Sequence, residues 1–334
     1  MLLLIVNFHY VQPENKYPFP GIHSISVERL SSQLDILGQH FDFISQDDLL
    51  EAIEGKKKLP ERCCLITFDD GLKGQYQNAL PVLKKKGVPA VFFINTLPLK
   101  EKKACLVHKI HWLRANLPPE DFLEEVNNKL KEISGQSLDQ LSFKEGVAER
   151  KYLYDEPEIA KLKFILNYAL KAKDKEKVIS EIFKKAVNNE RDFCEQFYVS
   201  KEEAIELSEL SFLGTHSYAH RSFFQLSRKQ ITNEIEKSLI TLHQIVGDKR
   251  IFSVSYPYRD LDNISQLVDI CKSLGLKLGF TTERSFNKSL QHPLLFARMD
   301  TNDVLGGKFV GFTLKNNEVK ILDNKIGLSR HLYF

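Results

Sequence analysis

The sequence predicts an α/β protein whose strands form a parallel sheet or barrel, interrupted by a long helical insertion. Short apolar runs, such as residues 65–68 and 90–94, have the length and composition of buried strands. Segments with apolar residues at helical spacing follow them, and strands that alternate with helices at this interval are typical of a parallel sheet or barrel. From about residue 99 to residue 197 the strands stop, and the apolar residues recur at i, i+3 and i+4.

Each element of the N-terminal part has its own local signals. Residues 1–8 are apolar and predict the first strand, since they lack the basic start and the cleavage site of a signal peptide and are too short to span a membrane. Ser26 and Ser45 are placed to cap the two helices that follow, and Gly38 is placed to end the first of them. A helix over residues 76–86 follows the strand at 65–68.

The C-terminal part repeats this pattern. Ser227 and Gly247 mark the two ends of a long amphipathic helix. After Gly307 one or two short strands complete the chain. The other strands predicted in this part are residues 212–213, 251–255, 278–282 and 294–300, and the other predicted helices are residues 201–207 and 261–274.

Composition excludes several classes of protein. Of the 334 residues 43% are hydrophobic and 27% are charged, as in an ordinary globular protein of one or two domains. A net charge of +3 gives no reason to expect nucleic acid or a membrane surface as a partner. The five cysteines have no pairing framework, which predicts reduced thiols and a cytoplasmic protein.

Two adjacent carboxylates, Asp69 and Asp70, end the strand at 65–68 and precede Gly71. Neighbouring strand residues point to opposite faces, so the two acids can take different roles only if the turn redirects one of them, a freedom that Gly71 supplies. Burying two unpaired acids is costly, and a cation would remove that cost. The alternative is a helix start at which one acid serves as the N-cap.

Two histidines four residues apart, His216 and His220, follow the apolar run at 212–213. Residues i and i+4 share one face of a helical turn, so both imidazoles could reach one ion. Imidazole nitrogen and carboxylate oxygen suit zinc or a similar divalent metal. By itself such a pair is more often a surface or capping feature, but its combination with Asp69 and Asp70 at another strand end is much more specific.

Three motifs resemble those of the polysaccharide deacetylases, carbohydrate esterase family 4. They are Thr-Phe-Asp-Asp-Gly at residues 67–71, His-Ser-Tyr-Ala-His at residues 216–220 and Ser-Val-Ser-Tyr-Pro-Tyr at residues 253–258. The resemblance implies a distorted (β/α)7-type barrel formed by residues 1–98 and 205–334, and residues 99–204 are then the helical insertion. That insertion either shapes substrate choice at the barrel mouth or is a structural or dimerising appendage.

The resemblance also implies the roles of the site residues. A divalent metal, with zinc preferred, would be held by Asp70, His216 and His220, with Asp69 as the catalytic base. The backbone N–H of Tyr258 would help to hold the developing oxyanion.

Three departures from the family pattern bear on the mechanism. Ser255 stands where the family has an arginine, and Arg259 stands where it has a glycine, which leaves the partner of Asp69 open. The last predicted strand lacks the histidine that acts as general acid in many relatives. Either His9, at the end of the first strand, takes that role, or Asp69 and the activated water manage both proton transfers.

Four further residues near the strand ends are expected to bind substrate: Tyr256, Arg259, Arg298 and Asp300.

The predicted function is a metal-dependent hydrolase that removes N-acetyl groups from an amino sugar or glycan precursor in surface polysaccharide synthesis. One alternative is an amidase of the same barrel that acts on a non-sugar amide. The other is a catalytically silent barrel that binds a sugar or a protein partner. Metal content and acetate release distinguish the three, and the sequence makes no prediction of oligomeric state.

Overall fold

A computed structural model describes residues 1–13, 17–19, 21–141, 146–151, 157–223, 226–258, 264–315 and 318–321. Within these ranges the strands are β1 (Leu2–Phe8), β2 (Asp42–Phe43), β3 (Arg62–Phe68), β4 (Ala90–Ile94), β5 (Leu213–Thr215), β6 (Ser253–Ser255), β7 (Leu278–Phe280), β8 (Met299–Asp300), β9 (Phe312–Lys315) and β10 (Glu318–Ile321). The α-helices in the same ranges are α1 (Val27–Gly38), α2 (Gln46–Ile53), α3 (Leu80–Lys86), α4 (Leu97–Glu101), α5 (Leu106–Asn116), α6 (Pro119–Ser134), α7 (Val147–Lys151), α8 (Pro157–Phe164), α9 (Ala172–Ala186), α10 (Glu190–Phe197), α11 (Lys201–Glu209), α12 (Arg228–Val246) and α13 (Ile264–Ser273).

Seven strands form one parallel path in the order β7-β6-β5-β4-β3-β1-β8, and β2 pairs with β3 beside this path. Phe8 pairs with Phe68, and Phe68 pairs with Phe92, so the strands run in register toward one edge. A single parallel bridge between Phe280 and Phe296 joins β7 to the segment that leads into β8. The two ends of the path therefore meet at one bridge and not along a full ladder. This architecture confirms the predicted distorted (β/α)7-type barrel.

The strands are buried on both sides, as expected for a parallel sheet between helices and a barrel interior. Leu4, Val6 and Phe8 belong to a large apolar cluster that also contains residues of α1, α3 and α12. Leu3 and Ile5, which alternate with them, belong to a second cluster with residues of β3, β4 and β7. Successive residues of a strand thus face different environments, and this alternation sets the direction of each side chain at the strand ends.

The local signals predicted most element boundaries correctly. Ser45 and Ser227 cap α2 and α12 with capping boxes, and Gly247 ends α12. Gly38 differs from the prediction, since it is the last residue of α1 and Gln39 is the cap. The predicted helix at 76–86 begins instead as a π-helix over Gln75–Ala79, before α3.

The predicted strand at 294–300 is shorter than expected. Only Met299–Asp300 pairs with β1, and the segment before it is linked to β7 through the Phe296 bridge. The segment is divided because it changes partner from β7 to β1 within a few residues. Arg298 immediately precedes β8 at this change of partner.

The contacts divide the chain into two compact units. The first consists of Met1–Glu14, Ser24–Lys102 and Glu195–Phe334, and the second of Asn15–His23 and Lys103–Cys194. In the second unit, Trp112 packs edge-on against two phenylalanines of the surrounding helices. The boundaries 1–98, 99–204 and 205–334 stay a prediction, because a division of contacts does not show that the parts are separate domains. Among the helices of the described residues, none has both the length and the apolar character needed to cross a membrane.

Gly279 in β7 supplies a test of the barrel packing. An added Cβ would lie 2.2 Å from the Tyr256 hydroxyl oxygen and 2.3 Å from the Leu294 carbonyl oxygen. We expect Gly279→Ala to lower the free energy of unfolding by about 2–3 kcal/mol, since overpacking forces the backbone to shift. Urea unfolding measures the change. Gly38→Ala is the control, because there the Cβ would meet only the Phe43 ring at 3.2 Å; equal stability of the two variants would contradict the packing described here.

Candidate active site

Left-handed backbone geometry shapes two turns at the ends of β3 and β5. Asp70 has φ +85° and Gly71 has φ +65°, and in the other turn Ser217 and His220 have φ +67° and +55°. Such conformations cost non-glycine residues about 1–3 kcal/mol each and concentrate at functional sites. Gly71 is required for a second reason, because a Cβ there would lie 2.9 Å from the Ile94 side chain.

These turns bring three potential metal ligands together. Asp70 Oδ1 lies 3.5 Å from His216 Nε2 and 3.3 Å from His220 Nε2. Two donors bound to one tetrahedral zinc ion at normal bond lengths are about 3.3 Å apart. Two imidazole nitrogens and one carboxylate oxygen are also a donor set that zinc accepts. Among the described residues, Asp70, His216 and His220 form the group of potential ligands whose donor atoms lie close enough together to bind one metal ion.

His216 is held in the tautomer that a metal ligand needs. Its Nδ1 lies 2.8 Å from the carbonyl oxygen of Ser255. A carbonyl can only accept, so Nδ1 carries the proton and Nε2 presents its lone pair toward Asp70. Burial lowers the pKa of His216 to about 4, so its imidazole is neutral at physiological pH.

His220 responds differently to the same surroundings. Burial lowers its pKa, but the hydrogen bond and the charge of Asp70 outweigh that effect, and the net shift is upward. The negative charge of Asp70, 3.3 Å from Nε2, therefore favours the protonated form of His220.

Asp69 faces a different partner from Asp70. Its Oδ1 and Oδ2 accept from Arg298 Nη1 and Nη2 at 2.8 and 2.7 Å, and Asn7 Nδ2 donates to Oδ2 at 3.1 Å. Burial raises the pKa of a carboxyl group, but here the charge of Arg298 outweighs burial and holds the pKa of Asp69 well below its usual range. Asp69 is therefore a carboxylate at all physiological pH values.

Two buried polar side chains that the sequence analysis missed hold these turns. Gln75 donates to the backbone carbonyls of His9 and Asp69, and it ties the ends of β1 and β3 together. Glu234 of α12 accepts from the backbone N–H of Ala219, between the two histidines, at 2.9 Å. Glu234 lies on the buried face of an amphipathic helix, and an acid at such a position is the signal that could have identified it.

Comparison with known proteins identifies the family. The family model described as polysaccharide deacetylase matches residues 56–128 and 201–279, which include the turns after β3, β5 and β6. The two segments match a polysaccharide deacetylase domain. This match confirms the resemblance predicted from the three motifs.

One curated relative and several solved structures resemble this deacetylase domain. A Bacillus subtilis (strain 168) protein, YxkH, named as a polysaccharide deacetylase, is 58% identical over 38 residues, which are 11% of this chain and 14% of the length of YxkH. The Streptococcus pyogenes deacetylase PplD, solved in complex with acetate, is 15% identical with a TM-score of 0.51, over 90% of this chain and 92% of PplD. IcaB from Ammonifex degensii is 18% identical with a TM-score of 0.53, over 89% of this chain and 90% of IcaB. At these identities the structures show a shared fold.

Three further predicted residues lie close to the deacetylase turns or to the same edge of the barrel. Tyr258 has φ +64°, its side chain is 44% exposed, and its ring centroid lies 5.0 Å from that of His220. His9 follows β1 and is near enough to Asp69 for its charge to act on that carboxyl group. Asp300 ends β8, where its Oδ1 accepts from the backbone and side chain of Asn302 at 2.8 and 2.9 Å. Their catalytic and substrate roles stay predictions.

Two of the predicted substrate-binding residues, Tyr256 and Arg298, are buried in contacts with other protein groups. The Tyr256 side chain is fully buried, and its hydroxyl donates to the Leu294 carbonyl at 2.8 Å. Arg298 is 1% exposed, and its guanidinium group contacts Asp69. Their substrate-binding roles stay predictions. Arg259, the fourth predicted substrate residue, lies outside the described residues.

The contact of Glu234 with the turn that carries His216 and His220 can be tested. We expect Glu234→Ala to weaken zinc binding by about tenfold or more, the usual effect of removing a residue that orients metal ligands. Competition with a chromophoric chelator measures the affinity. Glu236→Ala, on the exposed face of the same helix, is the matched control and should leave the affinity unchanged. Equal zinc affinity of the Glu234 and Glu236 variants would contradict the orienting role.

Proposed function

We propose that this protein is a metal-dependent N-deacetylase that hydrolyses the acetamide group of an amino sugar or glycan precursor. The observation that carries the proposal is the position of an ionised carboxylate, Asp69, next in sequence to a zinc-compatible cluster of Asp70, His216 and His220. A metal centre with an adjacent base is what amide hydrolysis by water requires. Membership of the polysaccharide deacetylase family supports an acetylated carbohydrate as the substrate.

The three proposed ligands fit a divalent ion, with zinc preferred because of its affinity for mixed imidazole and carboxylate sites. When bound, such an ion polarises the amide carbonyl and makes water more acidic. The neutral state of His216 means that this ligand needs no deprotonation before it binds.

Three residues of the chain take part in the hydrolysis: one accepts a proton, one stabilises the oxyanion and one can donate a proton. Asp69 accepts a proton from the water that attacks the carbonyl carbon. The N–H of Tyr258 stabilises the negative charge that develops on the carbonyl oxygen. When the C–N bond breaks, the nitrogen takes a proton either from His9 or from Asp69 itself. The products are acetate and a free amino sugar.

The surroundings of the site support a sugar as the substrate. The half-exposed ring of Tyr258 beside His220 offers an apolar surface of the kind on which a sugar ring can pack. All five cysteines are buried free thiols, which supports a cytoplasmic enzyme acting on a precursor in surface polysaccharide synthesis.

Substitution of Asp70 and of Asp69 should separate zinc binding from catalysis. Asp70→Asn is expected to lose most of its zinc. Asp69→Asn is expected to retain zinc, because the three proposed ligands stay, and to lose activity by about a hundredfold or more, because the proton acceptor is removed. It is also expected to be less stable, since the buried charge of Arg298 loses its partner. Elemental analysis and acetate release measure the two effects. Asp248→Asn, an exposed position, is the control.

A panel of substrates tests the proposed function itself. Acetate release from N-acetylated sugars, sugar nucleotides and short glycans is compared with release from N-acetylated amino acids and with formate release from formamides. Preferential cleavage of the acetylated sugars supports the proposal. Cleavage confined to the other amides would favour a non-sugar amidase, and a zinc-free protein that cleaves none of them would favour a silent binding barrel.

A further inference from the structure

We propose that Arg298 is the positioning residue for Asp69, and that the end of the barrel at β8 supplies the guanidinium group that orients the catalytic base. The inference rests on the proposed function, in which Asp69 accepts the proton. It starts from an unusual feature of the site: Arg298 is a fully buried cation placed directly against a carboxylate that borders the metal ligands.

All five N–H donors of Arg298 are used. Nε donates to the Thr281 carbonyl at 2.9 Å, Nη1 to Asp69 and to Thr67 Oγ1, and Nη2 to Asp69 and to Ser255 Oγ at 2.7 Å. A guanidinium group has five such donors and no more, so none is left for a substrate. Arg298 therefore acts through Asp69 and not on the ligand.

The contacts come from three strands, and this fixes the plane of the guanidinium group. Thr67 belongs to β3, Ser255 to β6, and Thr281 directly follows β7. A planar donor held on several sides offers Asp69 a two-point contact of defined direction, which a lysine could not reproduce. The carboxylate is consequently held in one orientation before substrate arrives.

The pattern of contacts also distinguishes the two oxygens of Asp69. Oδ2 accepts from Arg298 and from Asn7, whereas Oδ1 accepts only from Arg298 among the described residues. Each carboxylate oxygen has two acceptor positions. Oδ1 thus retains one open position, and we assign it as the atom that takes the proton from water.

Ser255 connects this arrangement to the metal ligands. Its side-chain oxygen accepts from Arg298, and its backbone oxygen accepts from His216 Nδ1 at 2.8 Å. One residue of β6 therefore orients both the partner of the base and a proposed zinc ligand.

The experiment compares Arg298→Met and Arg298→Lys with the wild-type protein in kcat, KM, zinc content and thermal stability. We expect kcat of Arg298→Met to fall by about a hundredfold, the low end of the contribution of a positioned base, with KM and zinc content close to wild type. Arg298→Lys should recover part of kcat, since it restores the charge but not the two-point contact. Arg284→Met is the matched control, because Arg284 pairs with Asp303 at 3.2 Å and not with Asp69.

Ser255→Ala covers the case in which Arg298→Met does not fold. It removes one of the five contacts and keeps the backbone carbonyl, so kcat should fall several-fold with zinc content unchanged. Wild-type kcat in Arg298→Met overturns the inference, as does a loss of activity that merely follows the loss of zinc or of folded protein. If Arg298→Met cannot be obtained folded, wild-type kcat in Ser255→Ala overturns it.

A readout without substrate separates this inference from the proposed function. If wild-type protein cleaves no acetylated sugar, the proposed function fails, and the crystal structure of zinc-loaded Arg298→Met, or of Ser255→Ala if the former does not fold, decides the inference alone. Rotation of the Asp69 carboxylate away from its wild-type orientation supports the positioning role. An unchanged Asp69 overturns it.

Discussion

The left-handed backbone of Asp70 is the constraint on which the rest of the site depends. Asp69 continues the side of β3 on which Thr67 lies, and from there it reaches Arg298. The φ of +85° at Asp70 turns the next carboxylate toward His216 and His220 instead. Two acids that are adjacent in sequence are thereby placed in separate environments, one suited to a metal ion and the other to proton transfer.

Burial makes this separation specific. Asp69 and Arg298 are each 1% exposed, and removing one partner of such a buried ion pair typically costs about 3–5 kcal/mol, because the other charge is left uncompensated. A well-packed apolar pair would often be at least as stable. The pair is therefore better explained by the orientation and charge that it gives Asp69 than by a contribution to the stability of the barrel.

The alternation of strands and helices predicted the parallel fold, and the resemblance of the three motifs implied the ligand set. The physical basis is that the carboxyl ends of parallel strands meet at one edge, so polar residues that follow separate strands come together there. Asp70, His216 and His220 accordingly approach one another in the structure. The inward or outward direction of a side chain was less predictable, because a shift of one residue exchanges the two faces of a strand. Arg298 and Tyr256 were expected to bind substrate because they lie near strand ends; in the structure Arg298 contacts Asp69, and the Tyr256 side chain is buried. The role of Arg298 as partner of Asp69 needed the three-dimensional register of β3, β6 and β8.

Anomalous X-ray diffraction from crystals grown with zinc, recorded on both sides of the zinc absorption edge, tests the central claim most directly. The account predicts an anomalous peak at about 2.0–2.2 Å from Asp70 Oδ1, His216 Nε2 and His220 Nε2, with Asp69 outside the coordination sphere and still paired with Arg298. A zinc ion bound elsewhere, or one coordinated by Asp69 in place of Asp70, would contradict the assignment of Asp70 to metal binding and of Asp69 to proton transfer.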